Sequence, residues 1–372
     1  MYKKIENNIK LIIIFSSVYY IPYLLFGWIG KSGTIESSAP ILYQILQLII
    51  PFIIFGLYNI KHLKIKFSYK EFTILNILIF ALFKYIIFRF DMLYFKSLSF
   101  FLFYVLIPKV DIKNLNLKKV INISFFITII TLLLEIFILP LFNIKSPFYI
   151  YGIFSRFIGN FGGPNILGLS GVCFFSYYYS NIKIDFIKLL FSILIVIFSA
   201  SMSSFFTLIF MFLWINIIKI KNVKKILKVM FTISIILMLF IILFHYFSDY
   251  FLIFERYINF FSGTELSANS RLDFIEDIKN MSLIEHILGN LEKYKKVEIS
   301  IFQIYINYGV IVTSIIIIIL IKKVIFLLKR KNHPDYRILL NIIISIIFVS
   351  FINPMIFLFP YIFLFPLFLK IE

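Results

Sequence analysis

Charged side chains are scarce in this chain of 372 residues: they make up 15%, against about 25% in a soluble domain. A surface facing water cannot be built from so few, so an ordinary soluble globular fold is excluded. Cysteine is all but missing. With Cys173 alone, neither an intrachain disulfide nor a cysteine-built metal site can form. The four histidines are scattered as His62, His245, His286 and His333, and none stands at metal-ligand spacing to another, so no metal and no cofactor is expected. Acids are also short, 18 against 37 Lys and Arg. The resulting net charge of +19 would suit a nucleic-acid binder if it were gathered in one patch, but the basic residues are spread along the chain in alternating density.

What is abundant is apolar. Hydrophobic residues reach 61% and aromatics 20%, with a mean hydropathy of +0.99. Runs of about twenty apolar residues, the length that crosses roughly 30 Å of hydrocarbon, follow one another with short polar breaks. Spans are expected near 9–29, 41–60, 72–88, 92–108, 121–142, 164–180, 186–199, 202–218, 229–247, 301–321, 338–352 and 355–369. The fold class expected is therefore all-α, a polytopic bundle of about 12 transmembrane helices, with eleven as the alternative because Asn353 and Pro354 divide a weak final pair. The whole of 1–372 reads as a single transmembrane domain. Placing the N-terminus inside puts 25 basic residues in cytoplasmic segments and 12 outside, and Lys370 then returns the C-terminus to the cytoplasm.

Nine of the eighteen acids fall between Asp249 and Glu298, so 249–300 reads as one long outer loop. Within it Ser270 and Asp273 form a capping pattern, and Leu272, Ile275, Ile278, Met281, Ile284 and Leu288 recur at helical spacing. One amphipathic helix ending at Gly289 and Asn290 is predicted.

Chemistry is expected where polar residues gather at the outer helix ends. The stretch SRFIGNFGGPNILGL runs from Ser155 to Leu169, with Arg156, a turn through Gly162 and Gly163, and Pro164 opening a helix before Asn165. Free N–H groups, a positive dipole end and a guanidinium together suit a phosphate or pyrophosphate; the plain alternative is a proline-started helix with a snorkelling arginine. Ser199, Ser201, Ser203 and Ser204 open another helix and either cap it or bond sugar hydroxyls. Arg271 follows Asn269 and Ser270, as a second anion contact or a solvated charge. Glu298, Ser300, Gln303, Tyr305 and Asn307 bring polar groups to the start of the span after the loop, and Glu298 is either a base or an interfacial carboxylate. Glu135 lies deep in a span, on a proton or cation path, paired with Lys84, or in a structural bond within the bundle.

The order of these stretches resembles the Wzy-type O-antigen and capsular polysaccharide polymerases, in the O-antigen polymerase and ligase superfamily. The resemblance covers roughly 150–310 and rests on Arg156, Gly159 to Asn165, the serine-rich helix start, Asn269 to Arg271, Gly289, and Glu298 to Gly309. It implies a GT-C-like, metal-independent, inverting glycosyltransferase in a bacterial cytoplasmic (inner) membrane. Its implied substrates are undecaprenyl-pyrophosphate-linked glycans, and a chain-length regulator and a flippase are implied partners. Arg156, Arg271 and Glu298 would be catalytic, with Gly162, Gly163, Asn165, Ser203, Gln303 and Tyr305 binding substrate. Ligases of the superfamily carry a histidine where this chain reads Glu298-Ile299-Ser300, which favours the polymerase. A flippase for the same lipid-linked sugar is the main rival, although no internal repeat is present. A membrane-bound acyltransferase lacks the nucleophile constellation it needs.

Overall fold

The computed structural model describes 41–62, 69–88, 92–107, 109, 117–141, 149–151, 154–161, 163–181, 185–219, 273–290, 299–353, 361–371 and eight positions between 10 and 21. The expected span at 229–247 and most of that at 9–29 lie outside the described residues, as do Gly162, Ser270, Arg271 and Glu298.

Each described apolar run is a helix, and breakers set the ends. In order they are α1 (Ile41–His62), α2 (Tyr69–Phe88), α3 (Met92–Leu106), α4 (Leu117–Leu133), α5 (Pro164–Ser180), α6 (Phe186–Ser199) and α7 (Met202–Lys219). Then follow α8 (Asp273–Lys279), α9 (Leu283–Leu288), α10 (Ser300–Lys329), α11 (Pro334–Ser350) and α12 (Tyr361–Lys370). Proline opens α5 and α11 at the position where its missing N–H costs nothing. Asp185 caps α6 by accepting the Lys188 backbone N–H at 3.3 Å, and Ala200 ends α6 at φ 45°. Lys118–Ile138 and Ser300–Lys329 are long and apolar enough to cross a membrane, with mean hydropathies of 2.3 and 2.8.

Around an apolar core, large apolar side chains also stand exposed while several polar ones are buried. Leu141, Phe186 and Phe83 are 80%, 72% and 66% exposed, whereas Glu135, Ser176 and Asn341 are fully buried. Apolar side chains outside and polar groups inside suit an apolar solvent.

The chain forms two compact units, one of Met1–Ser17, Ala39–Ser124 and Arg271–Glu372, the other of Val18–Ser38 and Phe125–Ser270. In the first, α3 packs on α1, α2 and α12, and α10 on α9 and α11. At one end of this unit the α12 residue Lys370 pairs with Glu71 at the start of α2, and Lys323 late in α10 donates to the Ile371 carbonyl. At the other end Lys84, late in α2, meets the early part of α10, where Ser300 Oγ also donates to the Asn353 carbonyl at 2.9 Å. In the second unit α5 packs on α6 and α7.

Two departures from expectation have local causes. The segment before Arg156 contains an antiparallel hairpin, β1 (Tyr149–Tyr151) with β2 (Phe154–Arg156), in which Tyr149 faces Arg156. Its aromatic and β-branched residues satisfy their backbone groups across strands. The single amphipathic helix is two, α8 and α9, because Ser282 and Glu285 form a complete capping box that starts a new helix in mid-segment. Gly289 ends α9 at φ 80°, as expected.

Candidate functional site

The polar helix ends make two groups, one in each unit. In the second unit the chain leaves β2 at Arg156, and its next three N–H groups are each bound. Phe157 N donates to the Phe198 carbonyl at 3.2 Å, Ile158 N to Glu135 Oε1 at 3.1 Å and Gly159 N to Glu135 Oε2 at 2.8 Å. Glu135 has no exposed surface and sits in a π-helical turn, Leu134–Ile138, that continues α4. A carboxylate buried in an apolar helix costs several kcal/mol unless its oxygens are met, and two backbone donors meet them here. The structural bond within the bundle is therefore the reading of Glu135 that the geometry realises.

This strap, Phe157 to Gly159, ends where Gly159 adopts φ 54° and opens a buried 3-10 turn, Gly159–Phe161. Gly163 then takes the N-cap of α5 in extended conformation, with no side chain capping the helix. The Ile158 and Gly159 donors are engaged by the protein's own carboxylate. At this end the first turn of α5 presents its backbone N–H groups with no side-chain cap.

The serines behind that turn are buried. Ser204 Oγ donates to the Asn165 carbonyl at 3.4 Å and to Ser201 Oγ at 3.0 Å, and Ser201 Oγ lies 3.2 Å from Ser203 Oγ. Ser201 Oγ also accepts the Ser204 N–H at 3.4 Å, which is the capping role. Gly168 is what lets α5 approach: a Cβ there would lie 2.6 Å from Ser199 Oγ and 2.7 Å from Ser204 Cβ. Ser203, only 1% exposed, belongs to this packed contact.

In the first unit the second group forms where α9 meets α10. Gly309 breaks α10 at φ 79°, ψ 177°, and Gly289 ends α9. The two glycine backbones touch: a Cβ on Gly289 would overlap the Asn307 carbonyl, and one on Gly309 the Ile287 carbonyl. Asn290 N donates to the Ile306 carbonyl at 2.6 Å. Lys84 reaches this junction from α2, with Nζ 3.1 Å from the Leu288 carbonyl and 2.7 Å from the Asn307 carbonyl. An ammonium thus sits at the carbonyl ends of two helical segments, the favourable pole of each. Between α9 and α10, His286 Nδ1 also lies 2.7 Å from Tyr305 Oη. Gln303 is buried on the same stretch of α10, and its backbone carbonyl accepts from Asn307 Nδ2 at 2.8 Å.

Asn165 is thereby brought to the serine cluster, and Gln303, Tyr305 and Asn307 to the Lys84 junction. Three features escaped sequence reasoning. The strap is tertiary and leaves no mark in spacing. The role of Lys84 depends on two glycine backbones. The His286–Tyr305 contact is tertiary as well, although the Ser282-Leu-Ile-Glu285 capping box that starts α9 is a signal the sequence carries. Among the described residues no cluster of His, Cys, Asp or Glu could hold a metal ion. Compared with known proteins, the chain matches no protein-family model and no curated protein.

Proposed function

We propose that this chain is a multi-pass membrane glycosyltransferase that polymerises undecaprenyl-pyrophosphate-linked oligosaccharide repeats into a surface polysaccharide, O-antigen or capsule, at the outer face of a bacterial cytoplasmic membrane. The observation that carries the reading is the segment from Arg156 to Asn165: a cationic residue on a strand end, a fixed strap, then an uncapped, proline-started helix. Such a place favours a pyrophosphate, whose charge grows as the glycosyl bond breaks.

In this reaction a hydroxyl at the non-reducing end of a new lipid-linked repeat attacks the anomeric carbon of the growing glycan. The carbon–oxygen bond to pyrophosphate breaks with inversion, and undecaprenyl pyrophosphate leaves with the bonding electrons. Arg156 and Arg271 stabilise that leaving group. Glu298 takes the hydroxyl proton. Gly162, Gly163, Asn165, Gln303 and Tyr305 line the approach of the substrates.

The twelve-span, N-in/C-in arrangement is supported by which helix ends meet. Span parity puts Glu71, Lys323 and Lys370 inside, and the contacts among them join those ends. It puts Lys84, Leu288, Ser300, Asn307 and Asn353 outside, and these also meet one another. In the other unit Lys188, expected inside, stacks on Phe126 and Tyr178, while Glu135, Phe198 and Ser204 gather at the expected outer end.

One observation favours a second reading. A broken helix whose carbonyls converge on a buried cation is a feature of transporters, so a flippase for the lipid-linked oligosaccharide is the alternative. Chain length and sidedness separate the two. With Arg156→Ala or Arg271→Ala the protein inserts normally and the surface glycan falls to single repeats. Normal long chains from both variants refute the site. Lipid-linked repeat left on the cytoplasmic side after gene deletion identifies the flippase instead.

A further inference from the structure

Both oxygens of Glu135 accept from one short segment of backbone that is remote in sequence. The helix is locally remade where this happens. In the π turn Leu134–Ile138 the Leu139 N–H returns to the Leu134 carbonyl, which widens the helix by one residue at the position of the carboxylate. Single π turns of this kind are frequent at functional sites.

The segment held is the strap that follows Arg156. Its N–H groups are buried, and a buried donor left unmet is costly, so Glu135 and the Phe198 carbonyl complete the strap's hydrogen bonding. On its other side Arg156 is paired with Tyr149 across the hairpin. The Arg156 backbone is therefore fixed from both directions.

We infer that Glu135 is a positioning residue for the anion site: its carboxylate clamps Ile158 and Gly159 and so holds the Arg156 backbone at a set place relative to the first turn of α5. This role rests on the proposed contact of Arg156 with a lipid pyrophosphate. A carboxylate is the group suited to it, because it offers two acceptor oxygens, whereas an amide offers one acceptor and turns a donor toward the second N–H.

Two measurements on the solubilised full chain test it. Amide exchange at Ile158 and Gly159 is slow in the wild type and rises about tenfold or more in Glu135→Ala and Glu135→Gln, as expected for loss of hydrogen bonds to a charged acceptor. Glu135→Asp, which keeps the carboxylate, recovers part of the protection. Unchanged exchange in Glu135→Ala overturns the clamp. The second measurement is affinity for undecaprenyl pyrophosphate in neutral-lipid nanodiscs. Glu135→Ala weakens it about tenfold in the wild-type background and leaves it unchanged in an Arg156→Ala background, because the effect passes through Arg156. Equal losses in both backgrounds overturn positioning while leaving the role of Arg156 intact. Wild-type affinity in Arg156→Ala itself overturns the pyrophosphate reading, and the positioning role with it, whatever the exchange result.

Discussion

Replacing Gly309 with alanine tests the junction of α9 and α10 in a way whose size follows from the geometry. At φ 79° and ψ 177° the residue occupies a region open almost only to glycine, and a side chain there costs about 1–3 kcal/mol. The new Cβ would also overlap the Ile287 carbonyl and approach Gly289 N to 2.8 Å. Those are backbone atoms, so no rotamer change relieves the contact. Adding a second cost of similar size for overpacking gives a total of about 3 kcal/mol or more. The least costly escape is for α10 to straighten and for α9 to lose its seat. Amide exchange over 283–290 in the solubilised full chain then accelerates by about 100-fold, the factor corresponding to that free energy. Gly56 in α1 is the control, since nothing lies within 4 Å of a Cβ there. Gly56→Ala leaves exchange over 283–290 at the wild-type rate and changes stability by no more than about 1 kcal/mol, in the favourable direction. Exchange in Gly309→Ala within about threefold of wild type would refute the reasoning.

Lys84→Met keeps the side-chain length but leaves the Leu288 and Asn307 carbonyls without their ammonium, so the same 283–290 amides exchange faster, by about tenfold or more. Combined with Gly309→Ala its effect is less than additive, because both act on one junction. At the start of α6 the Lys188 side chain and backbone N–H hold the Asp185 carboxyl below the usual carboxylate range. A depressed value means that the cap contributes above the unfolded Asp pKa, about 3.9, and fades as pH falls through the lower folded value. Exchange at the start of α6 in Asp185→Asn loses that acid dependence; an unchanged acid profile would count against the cap.

Much of the helical plan was legible because punctuation and periodicity act locally. Spans expected at 164–180 and 186–199 coincide with α5 and α6, since Pro164 and Asp185 fix starts and Asn181 and Ala200 fix ends. The capping role of Ser201 and the end of α9 at Gly289 were legible for the same reason. The hairpin before Arg156 was not, because two three-residue strands of aromatic and β-branched residues read like any apolar connection. The break in α10 was hidden in an apolar run, where a glycine is ordinary and only its contact with Gly289 demands φ 79°. The partners of Glu135 and Lys84 are set by tertiary packing across 23 and more than 200 residues, a distance at which spacing carries no information.

The central claim is that this chain makes long glycan from single repeats, and it is tested most directly by supplying the repeats. Purified full chain is placed in liposomes with the undecaprenyl-pyrophosphate-linked repeat isolated from the cells that encode it, and product length is read on a gel. A ladder of multimers with release of undecaprenyl pyrophosphate is predicted, and its loss in Arg156→Ala. Repeats that remain single in the presence of the wild-type chain, or that only change leaflet, would contradict the account.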